Sequence, residues 1–304
     1  MNSSTGSELD VARRVRRRMV HLAVQQGGAY LAQACSSAEI LATLYVRLMH
    51  LGPALANRIE AQPTEPPRPG NPSTRGYEFN GQRDGIHDRF ILSPAHYAGA
   101  LYATLVEVGR LAPDDLRHYA HDGSALEMIG SEQSPGMEAT TGSLAQGLSV
   151  GLGMAAARKI KSQPGTIWTL ISDGELEEGQ TWEAFAAAAH HNLGNVVVLI
   201  DSNSLQVDGA PRDVLNMEPI VDKVRSFGWN TQEVDGHDPD AIAAAALQRT
   251  PDVPCCIVCR TRPWQGIPSL QIRYPTRLHF VRFKPGEEVA ALNDTASVSS
   301  EAVR

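Results

Sequence analysis

Two short strings hold the residue types best able to do chemistry in this 304-residue chain: Asp173-Gly174 and, after a further 28 residues, Asn203. Each follows an apolar run, Ile167 to Ser172 in the first case and Val196 to Ile200 in the second, with an alanine-rich, helix-forming segment between them. That order predicts a strand, a crossover helix and a parallel strand. In an open parallel sheet ligands sit beyond the carboxyl ends of the strands, so Asp173 and Asn203 are expected to finish neighbouring strands on one rim. Two hard oxygen donors on that rim, beside a glycine that lets the backbone approach closely, suit a divalent cation held against a phosphate group. Asp-Gly is also a common turn, and Asn after a strand often bonds only its own backbone, so on spacing alone the two readings stand level.

The elements that must position these residues follow from periodicity. Residues 8 to 25 read as an amphipathic helix, closed by Gly27-Gly28; Ser36-Ser37-Ala38-Glu39 reads as a capping box opening a second helix that Gly52-Pro53 ends. From 54 to 88 the chain loses periodicity and gathers five prolines between Pro63 and Pro72, which predicts a long surface loop or lid. Arg89 to Ser93 is a short strand, Pro94 stands at the first position of the next helix, and Pro113 starts another. A long helix is expected from the Thr140-Thr141-Gly142-Ser143 string through Lys161. Its glycines 147, 151 and 153 imply either tight internal packing or close approach of another subunit or a cofactor. Helix 221–227, strand 229–234, helix 240–249 with Asp238-Pro239 as its cap, and strand 255–260 complete the alternation, and Val289 to Arg304 reads as a frayed tail. The fold class is therefore α/β, a doubly wound parallel sheet, with residues 1–285 as one domain and 286–304 as a tail.

Composition sets limits on partners. With 42% hydrophobic residues the chain can bury a full core, and a net charge of −7 argues against nucleic acid. The one basic cluster, R-R-V-R-R-R at 13–18, shares its stretch with Val11, Val15, Met19 and Leu22 at near-helical spacing, which predicts a helix with a solvated basic face. No apolar stretch approaches a membrane span and the N-terminus lacks a signal-peptide core, so a cytoplasmic location is expected. The four cysteines fit that compartment. Cys256 and Cys259 belong to a strand in which alternation turns them to opposite faces, which favours buried thiols over a metal or redox pair.

Asp-Gly and Asn at this spacing closely resemble the thiamine diphosphate motif, in which Asp, the Asn side chain and a backbone carbonyl two residues later hold Mg²⁺. The resemblance implies Asp173, Asn203 and Leu205 as ligands of Mg²⁺ (or Ca²⁺ or Mn²⁺), with Gly174 and Glu175 beside the cofactor. Ser172 stands where the motif has its first glycine. In order along the chain, S-A-E-I-L-A-T-L-Y, R-F-I-L-S-P-A-H, S-P-G-M-E-A-T-T-G-S-L-A-Q-G-L-S-V-G-L-G-M-A, S-D-G-E-L-E-E-G-Q-T-W-E-A, F-G-W and V-D-G-H-D are similar to the N-terminal, diphosphate-binding domain of transketolase. The likeness covers about residues 10 to 285, and the chain stops where that domain stops. It is therefore expected to be the N-terminal subunit of a split transketolase.

By that resemblance a separate C-terminal, pyrimidine-binding subunit supplies the rest of the enzyme in an α2β2 assembly. The pair would move a two-carbon ketol unit from a ketose donor to an aldehyde acceptor. Gly142 resembles the position whose carbonyl faces the 4′-amino group, Ser143 follows it, and Leu144 the one that packs on the cofactor rings. His96 matches a histidine near diphosphate and substrate, His279 a later active-site histidine, and Glu178 and Glu183 carboxylates of the dimer interface. Three departures stand out: Tyr30 in place of a histidine, Pro94-Ala95 in place of Lys-Gly, and Met128-Ile129-Gly130 in place of Gly-His-Pro. Cofactor binding is thus expected to be intact and substrate handling altered, as in a dedicated biosynthetic enzyme. Two other readings are weighed against this one. The α-subunit of a 2-oxo acid dehydrogenase also carries an Asp-Gly and Asn pair, and a degenerate subunit would only scaffold.

Overall fold

The computed structural model describes residues 6–59 and 75–296. Five strands, Arg89–Leu92 (β1), Ile167–Ser172 (β2), Val196–Ser202 (β3), Asn230–Asp235 (β4) and Cys255–Arg260 (β5), form one sheet in the order β1-β2-β3-β5-β4, every pairing parallel. Helices Glu8–Gln25 (α1), Leu31–Thr43 (α2), Ala98–Glu107 (α3), Gln146–Ile160 (α4), Gly179–His190 (α5), Pro211–Val214 (α6), Ile220–Ser226 (α7), Pro239–Leu247 (α8) and Glu287–Ala296 (α9) connect or flank them.

The central strands read as continuous apolar runs because both faces of the sheet are covered. Along β2, Trp168 and Leu170 point into one core and Ile167 and Ile171 into the other; along β3, Val197 and Leu199 alternate with Val196, Val198 and Ile200. Helices α1, α2, α3 and α8 pack on the first face, α4, α5 and α7 on the second. This is the doubly wound architecture expected. Cys256 and Cys259 fall in different cores, as strand alternation requires, and all four cysteines are free and buried.

Local chemistry departs from the sequence reading in several places. The Ser36–Glu39 string does not cap a helix: α2 already begins at Leu31, and each of its residues is buried. Ser36 Oγ donates to Asp201 Oδ2 at 2.6 Å, Ser37 Oγ to the Gln33 carbonyl at 2.6 Å, and Glu39 pairs with Arg16. A polar pattern that resembles a cap is instead spent on tertiary contacts inside a fully covered helix. Nor is the basic cluster a solvated face. Arg16 is 3% exposed against Glu39, and Arg14 and Arg18 both bind the nearly buried Glu107.

Pro94 precedes a single 3-10 turn, Ala95–Tyr97, before α3 begins, and α4 starts at Gln146, later than expected. Within the stretch expected to fray, Glu287–Ala296 folds as α9, with Ala291 and Thr295 buried. Of the predicted proline-rich loop, Pro63 to Pro72 lie outside the described residues. Its C-terminal flank is anchored, with Asn80 buried and accepting from Tyr45 Oη at 2.9 Å. Gly147 and Gly151 serve internal packing. A Cβ on Gly151 would stand 2.7 Å from Thr169 Oγ1 on β2, and one on Gly147 2.5 Å from Ser93 Oγ.

Candidate functional site

Strands β2 and β3 pair in register, Ser172 opposite Asp201, so Asp173 and Asn203 leave the ends of neighbouring strands on the same rim. Asp173 opens a 3-10 turn and is 5% exposed. Its Oδ2 accepts from the Ser204 amide at 2.8 Å, while its Oδ1 is buried with no partner among the described residues. Burial, with the Asp201 carboxylate nearby, pushes its pKa up to about 8. Asn203 Oδ1 accepts from the Leu205 amide at 2.9 Å, and its Nδ2 donates to Tyr97 Oη at 3.0 Å and Asp201 Oδ2 at 3.1 Å. The Asn does bond its own backbone. A carbonyl oxygen nevertheless keeps a second lone pair, and the donated bonds fix the direction in which it points.

A bare carboxylate oxygen inside a protein is costly unless a cation or donor meets it. The orphaned Oδ1 of Asp173, on the rim that Asn203 and Leu205 share at the end of the neighbouring strand, therefore fits a hard cation. Among the described residues no group of three or more His, Cys, Asp or Glu side chains gathers to hold a metal, so a cation here relies on the amide and a backbone carbonyl as well as one carboxylate.

Next to this rim lies a cavity of about 370 Å³. Of the residues singled out in the sequence, His96, Gly142, Leu144, Gly174, Glu178, Leu205 and His279 line it. Tyr30, Ala95 and Ile129, one from each of the three departures, line it too. Asp173 faces instead an adjoining space of about 150 Å³ with Ser202 and Ser204. Gly174 is not needed for a close approach of protein backbone, since a Cβ there would meet nothing nearer than 3.7 Å; the free volume around it belongs to the cavity.

Ser143 and Glu183 are exposed outside the cavity. Glu175 lies beneath it, fully buried, accepting from Ser93 Oγ, from the Ala145 amide at 2.8 Å and from the Ser172 amide at 2.9 Å. It thus braces the ends of β1 and β2 and the start of α4, and the serine at 172 completes a reciprocal cap with it. Its place is structural rather than on the cavity wall.

The two histidines meet across the cavity with ring centroids 5.2 Å apart, and Tyr30 stands edge-on to both, at 5.3 Å from His96 and 5.5 Å from His279. Burial and the neighbouring His279 push the pKa of His96 down to about 3, and burial lowers that of His279. Both rings are neutral near pH 7, each with one N–H and one lone pair.

Sequence reasoning missed the residues behind this wall. Asp201, 0% exposed, gathers Ser36, Tyr97, Thr261 and Asn203 around its carboxylate, and burial raises its pKa against those bonds. Its signal was a second acid two residues before Asn203. Glu177, next to Glu178, also lines the cavity with a buried, unpartnered Oε1, and its acid run gave no sign that it would differ from its neighbour.

Residues 80–274 match the family described as transketolase, thiamine diphosphate binding domain. A transketolase family protein of Sinorhizobium fredii (strain NBRC 101917 / NGR234) is 38% identical over 92% of both chains. The 6-deoxy-6-sulfo-D-fructose transketolase subunit of Clostridium sp. (strain MSTE9) is 34% identical over 79% of each. Human transketolase-like protein 2 is also 34% identical, but the match covers 86% of this chain and only 38% of that protein. Among solved structures, transketolase of Campylobacter jejuni superposes with a TM-score of 0.73 at 22% identity, over 95% of this chain and 42% of that one, a likeness of fold. The chain belongs to the transketolase family of transferases and carries its thiamine diphosphate-binding domain. Among the described residues no helix is long and apolar enough to cross a membrane.

Proposed function

We propose that this chain is the diphosphate-binding subunit of a two-component transketolase-like enzyme, whose pyrimidine-binding half is a separate chain, two copies of each forming the assembly. The observation that carries the reading is the bare, buried Oδ1 of Asp173 at the strand rim beside a cavity of cofactor size. Asp173, the Asn203 side-chain oxygen and the Leu205 carbonyl hold Mg²⁺, or Ca²⁺ or Mn²⁺, and the open space at Gly174 receives the diphosphate. Bound thiamine diphosphate supplies a nucleophilic carbon that also accepts an electron pair, the chemistry that moving a two-carbon ketol unit from a ketose to an aldehyde requires.

The chain's own residues divide the remaining work. Leu144 gives the cofactor rings an apolar contact and the Gly142 carbonyl an acceptor. His96 and His279, kept neutral, hold substrate hydroxyls or pass a proton without adding charge. Glu178 stands exposed at the cavity wall just before α5, and Glu183 is exposed on α5, positions suited to contact with the partner chain. Tyr30 and Ile129 bring an aromatic ring and an aliphatic chain to the cavity wall, which supports a dedicated donor or acceptor in a biosynthetic pathway. Two relatives of similar extent are named as transketolase subunits for particular sugars. One is the Clostridium protein; the other, from Actinobacillus succinogenes (strain ATCC 55618 / DSM 22257 / CCUG 43843 / 130Z), is named for apulose-4-phosphate and is 31% identical over 86% of this chain and 87% of that one.

The test is reconstitution with the partner chain. Two-carbon transfer should need both chains, and xylulose 5-phosphate with ribose 5-phosphate should be a poor pair. Decarboxylation of pyruvate without ketol transfer would contradict the reaction proposed, and efficient turnover of that pentose pair would contradict the altered specificity.

A further inference from the structure

Gln33 lies on α2, three residues after Tyr30, and no motif in the sequence gave it a role; it lines the cavity and is 2% exposed. Its carboxamide Nε2 lies 3.1 Å from His279 Nδ1, while Oε1 is buried with no partner among the described residues. A neutral imidazole can complete only one half of an amide, so whichever way the carboxamide is turned, one of its polar ends is left for something else. The rest of the wall narrows what that is. Among the described residues the cavity lining contains Glu177, Glu178 and Asp208 and no lysine or arginine, so a negatively charged group of the substrate meets no side-chain cation from them. The unused end of a neutral amide, beside a neutral histidine, suits a neutral hydroxyl.

We propose that Gln33 is a specificity-determining residue, which with His279 forms a paired amide and imidazole that hold one hydroxyl of an uncharged stretch of the sugar substrate. This rests on the transketolase reading above. The pairing also fixes which ring nitrogen of His279 carries the proton, and so what that ring offers to the substrate. A site built to bond a hydroxyl discriminates strongly against a substrate lacking it, because its own buried polar group is then left bare.

The experiment uses the complex of both chains, with L-erythrulose, an unphosphorylated ketose, as donor and D-glyceraldehyde as acceptor. Gln33→Met keeps the length of the side chain and removes both polar ends. It should raise KM for L-erythrulose by about ten- to a hundredfold, the size expected for losing a buried hydrogen bond to substrate, with kcat little changed. Thiamine diphosphate affinity and thermal midpoint should stay near wild type, and the ¹⁵N shifts of His279 in the variant should show its tautomers redistributed. An unchanged KM would overturn the inference alone, as would a loss of cofactor affinity equal to the rise in KM, which would make Gln33 a cofactor-positioning residue. Absence of ketol transfer by the wild-type pair would overturn the underlying reading, and the inference with it.

Discussion

At Asp173 one carboxylate oxygen is hydrogen-bonded and the other buried bare, so the folded chain without metal holds a proton there far more tightly than the unfolded chain does. The sign follows from linkage: the stabilising contribution is complete below the ordinary carboxylate range near 3.8 and is lost as pH rises through about 8. Metal-free protein should therefore melt at progressively lower temperature between pH 4 and 8 in differential scanning calorimetry, and Mg²⁺ with thiamine diphosphate should oppose that fall. Asp173→Asn should flatten the slope, leave the fold intact, and weaken Mg²⁺-dependent cofactor binding by about a hundredfold or more. His96 acts at the other end of the pH scale. Its depressed pKa, about 3 when folded against 6.5 for a free side chain, gives a contribution that is present above 6.5 and lost as pH falls towards 3. His96→Gln should reduce the acid sensitivity of the melting temperature in that window; an unaltered profile would place the sensitivity elsewhere.

Two contacts decide how the elements hold these residues. Glu175 ties β1, β2 and α4 together through four donors, and its removal leaves them without an acceptor in a buried place. Glu175→Ala should lower the free energy of urea unfolding by about 3 kcal/mol, with Glu175→Gln intermediate. On α4, Gly151→Ala forces a methyl to within 2.7 Å of Thr169 Oγ1 and should cost about 1–3 kcal/mol, whereas Gly153→Ala, where a Cβ meets nothing within 4 Å, should gain up to about 1 kcal/mol from helix propensity. Equal effects of the two substitutions would show that α4 does not lean on the sheet as described. These same elements show what a sequence can tell. Strand β2 and helix α1 have the predicted boundaries, because unbroken apolar runs and amphipathic periodicity are local properties. Glu175 as a brace, Ser36 as a partner of Asp201 and Arg16 as a buried cation depend on segments up to 165 residues apart coming together, and no local pattern distinguishes them from a turn, a cap or a solvated face.

For the whole molecule, the parallel order β1-β2-β3-β5-β4 brings the ends of β2 and β3 side by side and lets chain segments as distant as Tyr30, His96, Gly142 and His279 close one cavity over that rim. The place of Asp173 and Asn203 on one rim was legible because both lie within one strand–helix–strand unit. The contacts of Gln33 and Asp201 were not, because they exist only once α2 and the loop carrying His279 have packed over the sheet. In the function proposed above, this rim holds the metal and diphosphate of thiamine diphosphate while a second chain completes the enzyme. Isothermal titration calorimetry of thiamine diphosphate into the assembled complex of both chains, with Mg²⁺ and with a chelator, tests it most directly. Saturable binding that needs the metal and disappears in Asp173→Ala is the predicted result; binding that is absent, or that is indifferent to metal and to Asp173, would contradict it.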